Sequence, residues 1–266
     1  MNKTEKEMLE ILHKLRENGA LAVKAEFEAE GTRTEELLRL MDLSRRASIG
    51  IGLKIGGCEA VRDLIEAKQF GVDYVIAPMV ETSYAMEKYV VAKNKVFNSD
   101  ERADVDFLAN IETHTGFNNS SEMIEIAAKK NGIDGVVFGR VDFVRSKGLA
   151  LDSVNEDNVN DSCIEIANKC RDHNLDFVVG GGISDVSVDP LKKISESHLS
   201  RFETRKIIFH AEALNKKKIK ETLLNAVHFE LLWLLNKREF YSLITREDDK
   251  RLKKLNDRWN ILNNYD

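Results

Sequence analysis

The sequence predicts an α/β protein, a (β/α)8-type TIM barrel with parallel strands and additional C-terminal helices. Predicted strands alternate with predicted helices in repeats of roughly 25–35 residues, and this alternation indicates a parallel sheet. Charged residues stand at or just after five of the strand ends, namely Glu28, Lys54, Glu81, Glu112 and Asp142. An open sheet gathers such residues at one switch point, whereas a barrel spreads them around a ring. The spread therefore favours the barrel.

The individual elements are predicted from apolar periodicity and from start and stop residues. An amphipathic helix over 4–18 comes first and ends at Gly19. Strands are predicted over 21–28, 49–55, 73–80, 107–111, 134–142, 176–179 and one stretch within 200–209. Helices are predicted over 34–46, 59–70, 82–93, 120–130 and 162–173, with a short one from Asp189. Either the barrel has seven strands or an eighth lies hidden in the C-terminal third.

Beyond residue 211 the pattern is purely helical. A helix over 218–236 is apolar almost all round at 229–235, which fits either an outer helix of the barrel or a subunit contact. A charged surface helix follows over 247–262, with four apolar residues expected to turn inward: Leu252, Leu255, Trp259 and Leu262. The predicted organisation is an N-terminal helix (1–20), a barrel (21–210) and a helical extension that forms the oligomer contact (211–266).

Composition indicates an ordinary globular protein. The 266 residues are 42% hydrophobic and 32% charged, which suits one α/β barrel. A net charge of −5, with the basic residues dispersed among acids, argues against nucleic-acid binding. The charged start and the absence of long apolar runs argue against a signal peptide or a membrane span. Three cysteines without metal-ligand spacing suit a reducing compartment, so we expect a cytoplasmic protein.

Two acids end successive units of the predicted barrel. Glu112 follows the strand over 107–111, and Asp142 closes the strand over 134–142. Because parallel strands of a barrel end at one face, both carboxylates are expected there. Two converging acids can hold a hard divalent cation and leave positions open for water and substrate oxygens. Acids at strand ends also serve as helix caps, so the spacing alone does not decide between these roles.

The residues around the two acids resemble a known family. IETHTGF (111–117) and GVVFGRVDF (135–143) are similar to the (I/V)ET-x-x-G and G-x-x-D strand ends of the HpcH/HpaI aldolase and citrate lyase family. YVIAPMVET (74–82) resembles the family's P-M-V strand end, and the resemblance covers about residues 22–209. It implies a TIM barrel in which Glu112 and Asp142 bind Mg²⁺ or Mn²⁺. Family members begin with a strand where this chain has a helix, so the first strand is atypical.

The resemblance also implies catalytic roles. Lys54 stands where the family has an arginine near the keto oxygen of pyruvate, and its charge would offset a developing enolate, although lysine offers a point charge and not a planar fork. Pairing of Lys54 with Glu28 or Glu26 is the structural alternative. The segment EFEAEG (26–31) takes the place of the family's D-x-E-H, with the acids present and the histidine absent. Glu28, His114 or a metal-bound water is then the candidate base.

Three glycines and an arginine complete the candidate site. Gly116 and Gly139 would let the backbone approach a ligand, or they only satisfy turn geometry. Gly181, central in Gly180-Gly181-Gly182, could present backbone N–H groups to a carboxylate. Arg140 replaces a proline of the family pattern and could contact a second substrate group.

Together these residues predict a metal-dependent carbon–carbon lyase or aldolase that acts on a 2-keto acid through a pyruvate enolate. A 2-keto acid and an aldehyde are the expected small-molecule partners, and a homo-oligomer is the expected assembly. Three alternatives stay open: an acyl-CoA lyase of the citrate lyase type, a metal-free Schiff-base aldolase using Lys24 or Lys54, and a catalytically degenerate barrel with a binding role. Retention of both acids argues against the last.

Overall fold

The computed structural model describes residues 1–263, with side chains to Ile261. The strands are β1 (Ala20–Glu26), β2 (Gly50–Lys54), β3 (Tyr74–Ala77), β4 (Asp106–Ile111), β5 (Gly135–Gly139), β6 (Asp176–Gly180), β7 (Arg201–Glu203) and β8 (Ile207–His210). The helices are α1 (Lys3–Glu17), α2 (Thr34–Ala47), α3 (Val61–Phe70), α4 (Ser83–Val96), α5 (His114–Asn118), α6 (Ser120–Ala127), α7 (Arg140–Ser146), α8 (Asp157–Asp172), α9 (Val188–Ser195) and α10 (Ile219–Asn263). The predicted TIM-barrel fold is confirmed.

The eight strands close into a barrel in chain order. β1 to β7 are parallel, whereas β8 runs antiparallel to both of its neighbours, β7 and β1. The eighth strand therefore does lie in the C-terminal third, inside the stretch predicted as a single strand. Only residues 204–206 connect β7 to β8. A parallel crossover needs a dozen residues or more, so this short connection can only form a hairpin.

The interior of the barrel is filled below its carboxyl end. An apolar layer crosses it, formed by Ile76, Leu108, Val137 and Val178. Beneath this layer Arg201 contacts Asp106 and Asp176, at 2.8 Å each. Side chains alternate along a strand. The next inward-facing residue of each strand, two positions after the apolar layer, therefore faces the mouth at the carboxyl end of the barrel. The packed interior thereby places polar side chains at that mouth.

β5 ends earlier than predicted. The strand stops at Gly139, and α7 begins at the next residue, so Asp142 lies in the first turn of a helix and not at a strand end. Phe143 and Val144 are both buried. Adjacent residues point to opposite faces of a strand but lie near one another on a helix, so the tertiary packing of this pair favours the helix over the predicted strand.

One helix replaces the two predicted at the C-terminus, because no glycine or proline interrupts the chain between them. α10 has 45 residues and is about 68 Å long at 1.5 Å per residue. Residues 242–261 are exposed throughout. The expectation that Leu252, Leu255 and Trp259 turn inward is wrong, since each is more than half exposed. Leu262 lies outside the residues whose side chains are described.

Within the described residues, the helices do not include one that combines the length and the apolar character needed to cross a membrane.

Candidate active site

A cavity of about 420 Å³ opens at the carboxyl ends of the strands. Side chains from β1, β2, β4 and β7 line it, together with the chain after β5 and β6 and one side of α10. Six of the site residues predicted from sequence lie in its wall: Glu28, Lys54, Glu112, Gly139, Asp142 and Gly181. The barrel thus brings most of the candidate site together.

Glu112 directly follows β4 and is buried, with 3% of its surface exposed. Its Oε1 accepts a hydrogen bond from the backbone N–H of Met79 at 2.9 Å, and its Oε2 accepts one from Asn110 Nδ2 at 2.8 Å. Burial raises the pKa of Glu112 above its ordinary value, against the opposing charge of Lys54 and these two hydrogen bonds. The carboxylate is therefore held in place, but its charge is only partly compensated.

Lys54, the last residue of β2, reaches across to that carboxylate. Its Nζ lies 3.5 Å from Glu112 Oε2 and 3.1 Å from Glu28 Oε2. Burial alone lowers the pKa of Lys54, but the neighbouring charges, first Glu112 and then Glu28, outweigh burial and raise the pKa. The ammonium therefore stays charged. It pairs with Glu28, as the structural alternative expected, and it also faces Glu112, whereas its role toward an enolate stays a prediction.

Asp142 enters the same cavity from the first turn of α7. The negative charge of Asp142 also raises the pKa of Glu112, but its effect is smaller than those of burial, Lys54 and the two hydrogen bonds. Gly139 precedes α7, and a Cβ there would lie 2.6 Å from Glu112 Cβ and 2.7 Å from Glu112 Oε2. Gly139 is thus required for the space that Glu112 occupies.

The other two predicted glycines differ from each other. Gly181 lines the cavity with φ +82°, and a Cβ there would lie 2.7 Å from the backbone nitrogen of Val141. Gly116 is not part of the cavity wall. It lies in α5, where its N–H donates to the N-cap hydroxyl of Thr113 at 3.0 Å, so its position is explained by helix capping.

His114 and Arg140 are placed away from the cavity. His114 is exposed at the start of α5, with Nε2 3.4 Å from Asn118 Nδ2. Arg140 is fully buried. Its Nε and Nη2 donate to the carbonyl of Gly181 at 3.1 and 2.9 Å, and its Nη1 donates to the carbonyl of Val154 at 3.2 Å. Arg140 fixes the backbone behind the site and does not point into it, so we assign neither residue a direct role.

Asn110 is a cavity residue that the sequence analysis missed. It lies on β4 two residues before Glu112, and residues two apart on a strand face the same side, so this spacing was an available signal. Its Oδ1 is buried and has no hydrogen-bond partner within the described part of the chain. A buried carbonyl oxygen without a donor is a place where a ligand or a cation can be satisfied.

A second set of charges joins the end of β1 to the β7–β8 hairpin. Lys24 Nζ lies 2.5 Å from Glu203 Oε1 and 3.7 Å from Glu26 Oε1. Arg205 Nη2 lies 3.2 Å from Glu26 Oε2. Farther from the barrel axis, Arg205 and Lys206 both form ion pairs with Glu30. The whole set, here called the hairpin network, comprises Lys24, Glu26, Glu30, Glu203, Arg205 and Lys206.

The hairpin network has three acids and three bases, and Glu230 of α10, which also lines the cavity, lies close to it. On the other side of the cavity, Glu28, Glu112 and Asp142 face two bases, Lys54 and Arg145. That side, here called the acidic half, keeps an excess of negative charge. Its carboxylates and Asn110 Oδ1 are oxygen ligands of the kind that Mg²⁺ and Mn²⁺ prefer.

Glu112 and Asp142 could supply some, but not all, of the ligands of such an ion. Among the residues described, no group of three or more His, Cys, Asp or Glu side chains is arranged to hold a metal alone. Mg²⁺ usually binds through one or two carboxylates and retains several waters or substrate oxygens. Two carboxylates at an open cavity match that pattern.

The sequence of the HpcH/HpaI aldolase/citrate lyase family matches this chain over residues 34–182. The chain belongs to this family. The matched residues run from α2 to the turn after β6, so they contain Lys54, Glu112 and Asp142 and leave out the whole of the hairpin network and α10. No curated protein matches the chain.

Solved structures share the fold at low sequence identity. An HpcH/HpaI aldolase from Desulfitobacterium hafniense DCB-2 has a TM-score of 0.60 and 12% identity, over 74% of this chain and 82% of the other. An HpcH/HpaI aldolase/citrate lyase family protein from Burkholderia cenocepacia J2315 has a TM-score of 0.59 and 12% identity, over 90% of both chains. Citrate synthase SbnG has a TM-score of 0.56 and 16% identity, over 73% of this chain and 89% of the other. Membership of the HpcH/HpaI family supports a lyase or aldolase type of function.

Proposed function

We propose that this HpcH/HpaI family member is a divalent-metal-dependent carbon–carbon lyase or aldolase that acts on a 2-keto acid through a pyruvate enolate. The observation that carries the proposal is the position of Lys54 Nζ, 3.5 Å from the buried carboxylate of Glu112 in the acidic half of the cavity. A cation ligand and a fixed positive charge thereby adjoin the same space.

Glu112 and Asp142 are the residues that would hold Mg²⁺ or Mn²⁺, with Asn110 Oδ1 as a neighbouring oxygen. When bound, the ion supplies Lewis-acid polarisation of the keto acid and orients it. The excess negative charge of the acidic half and the raised pKa of Glu112 support this assignment.

Lys54 and Glu28 carry the proposed chemistry of the chain itself. The substrate is an aldol of pyruvate, a 4-hydroxy-2-keto acid. Glu28 accepts the proton of the 4-hydroxyl group, the C3–C4 bond breaks, and an aldehyde and the enolate of pyruvate result. The ammonium of Lys54 offsets the negative charge that develops on the enolate oxygen. A proton returned to C3 completes pyruvate, and Ala29, next to Glu28, stands where the family pattern leads us to expect a histidine.

One alternative, a Schiff base on Lys24, is disfavoured by geometry. A Schiff-base lysine attacks as the neutral amine, whereas the ammonium of Lys24 lies between Glu203 and Glu26. A Schiff base on Lys54 and an acyl-CoA lyase remain as alternatives, together with a barrel that binds a 2-keto acid without turnover, which the missing histidine favours. Measurement of turnover distinguishes these possibilities.

The test is exchange of the methyl protons of pyruvate for deuterium in D₂O, followed by NMR. We expect exchange with added Mg²⁺ or Mn²⁺ and its loss with EDTA. Activity that survives EDTA but is trapped by borohydride would support the Schiff-base enzyme. Binding of pyruvate without exchange would support the binding barrel, and exchange only with acyl-CoA substrates present would support the citrate lyase type.

We also propose a homo-oligomer that associates through α10. Phe229 and Trp233 are buried against the protein's own fold, with 0% and 4% exposed, whereas Leu231, Leu234 and Leu235 on the same helix are at least half exposed. The helix thus covers its own barrel with one face and leaves a second apolar face exposed.

A further inference from the structure

Seven exposed apolar residues of α10 fall in a single seven-residue frame: Leu224, Val227, Leu231 and Leu234 beside the barrel, and Leu252, Leu255 and Trp259 in the half of the helix that projects from it, each at least half exposed. Four other exposed apolar residues of the helix lie outside this frame, namely Leu235, Leu243, Ile244 and Ile261. Leu252 follows Leu224 by four full heptads, so with Leu224 at position a all seven occupy positions a or d. This apolar stripe consists of two groups of a and d residues, one toward each end of the helix, and such positions are the contact positions of a coiled coil.

The fold of the chain itself does not cover the stripe. α10 packs on α1 and the barrel through Ala226, Phe229 and Trp233, all nearly fully buried. These three residues lie on the side of the helix away from Leu224 and Leu231, given 3.6 residues per turn. The projecting half, residues 242–261, has no buried residue at all among those described. A partner is therefore needed to remove this apolar surface from water.

We propose that the partner is a second copy of this chain. Its α10 lies antiparallel along the stripe, and the twofold axis crosses the two helices at the level of Leu243. In a twofold contact, residue i of one copy meets residue j of the other and the reverse. With the axis at Leu243, Leu231 lies opposite Leu255 and Leu234 lies opposite Leu252. The apolar residues of the projecting half are thereby covered by those of the half beside the barrel.

The charges on the stripe select this register. Four residues separate the two apolar groups at positions a and d: Arg238, Tyr241, Thr245 and Asp248. Tyr241 is half-buried and donates to Glu36 of its own chain, whereas the charged pair, Arg238 and Asp248, is exposed. The axis at Leu243 places Arg238 of each copy opposite Asp248 of the other. A shift by one heptad places either Asp248 opposite Leu231 or Arg238 opposite Leu255, and both arrangements oppose a charge to an apolar residue.

A parallel pair is disfavoured by the same residues, because it sets Arg238 against Arg238 and Asp248 against Asp248. Like charges facing each other in an interface are strongly unfavourable. Position g pairs with position g of the other helix across such an interface, which brings Glu230 near Arg258 and the exposed Ile244 near its own equivalent. It also brings Lys237 near Arg251, but Lys237 is already paired with Glu36 of its own chain, with Nζ 2.9 Å from Glu36 Oε2.

The pairing reaches the candidate active site. Val227 and Glu230 line the cavity, and the register places Trp259 of the second copy opposite Val227. Each copy therefore contributes the end of its α10 to the rim of the other copy's cavity. The association itself does not depend on the proposed chemistry, so its failure and the failure of the enzymatic proposal are measured separately.

Sedimentation equilibrium with charge reversals tests the pairing. We expect a dimer for the natural sequence, and weakening of association by about 100-fold in Arg238→Asp or in Asp248→Arg, because each creates two like-charge contacts per dimer. The double variant with both changes restores opposite charges and should dimerise like the natural protein. Arg246→Asp and Asp257→Arg reverse exposed charges of the same helix outside positions a and d and should leave association unchanged.

Cysteine pairing tests the register. In a Cys58→Ser background, which leaves the two buried cysteines, we expect Leu231→Cys and Leu255→Cys proteins to form a disulfide only when the two are mixed. Disulfides within either protein alone would indicate parallel helices and overturn the proposal. A monomer at tens of micromolar, or a dimer in which the double charge reversal restores nothing, would overturn it equally.

Discussion

The ammonium of Lys54 lies 3.5 Å from the carboxylate of Glu112, and the two residues come from the ends of β2 and β4, which do not neighbour each other in the barrel. This contact crosses the mouth of the barrel. It places a fixed positive charge beside a buried carboxylate whose pKa is raised by burial. The proposed enzyme depends on this pair more than on any other contact in the cavity.

Substitution of Lys54 by methionine tests its role in stabilising the enolate. Lys54→Met removes one electrostatic donor, so we expect the deuterium exchange rate of pyruvate to fall by about 10²–10³, while Mn²⁺ binding followed by EPR is retained. Lys54→Arg should recover part of the rate because it restores the positive charge. Lys88→Met, which breaks a surface ion pair with Glu59, is the matched control. Equal exchange rates in Lys54→Met and the natural protein would make Lys54 a structural ion-pair partner only.

Substitution of Glu112 by glutamine separates metal binding from folding. Glutamine keeps an oxygen that can accept the Met79 N–H but loses the charge, so we expect loss of Mn²⁺ binding and of exchange with little change in thermal unfolding. Glu230→Gln changes another acid of the same cavity and should keep both properties. Undiminished Mn²⁺ affinity in Glu112→Gln would remove Glu112 from the metal site.

Gly139 is expected to tolerate no side chain. In Gly139→Ala the new Cβ would lie 2.6 Å from Glu112 Cβ, so either Glu112 moves out of position or the end of β5 shifts. We expect destabilisation of about 1–3 kcal/mol, as for overpacked sites, together with weakened Mn²⁺ binding. Gly57→Ala, where nothing lies within 4 Å of the added Cβ, should change neither. Normal urea unfolding and metal binding in Gly139→Ala would contradict the close packing.

Lys93 is expected to make the free energy of unfolding depend on pH. Its Nζ donates to the carbonyl of Asn131 at 3.2 Å and to that of Gly132, and it lies 5.0 Å from the centre of the Phe107 ring. Burial, opposed by the charge of Asp134, lowers the pKa of Lys93 from 10.5 to about 8. Between these values the unfolded chain binds the proton and the folded chain does not, so the free energy of unfolding should rise with pH across this window.

Urea unfolding from pH 7 to pH 10 measures this effect. Below pH 8 both states carry the proton and Lys93 adds no slope, whereas above that value the natural protein should gain stability relative to Lys93→Met. Lys95→Met, an exposed lysine of the same helix, should follow the natural protein. Parallel curves for the natural protein and Lys93→Met would show that Lys93 titrates alike in both states.

Much of the fold was predictable because its signals are local. Apolar periodicity and strand-end charges indicated the barrel, and the motifs around Glu112 and Asp142 indicated the family. The end of β5 was missed because the residues after Gly139 have no local feature that separates a strand from a short helix. The hairpin β7–β8 was missed because each of its strands has only three or four residues, too few for a periodic pattern.

The sequence by itself determined most of the strands and helices, the acids Glu112 and Asp142 as candidates for the barrel mouth, and an apolar helix at 218–236. Only the tertiary structure decided how the charges combine. Lys24 and Glu203 meet although 179 residues separate them, and Lys54 meets Glu112 across the mouth of the barrel. Likewise, Arg140 could be assigned to the backbone and His114 to the surface only from their surroundings. Periodicity is a property of neighbours in the chain, whereas the pairing and burial of a charge depend on residues that folding brings together.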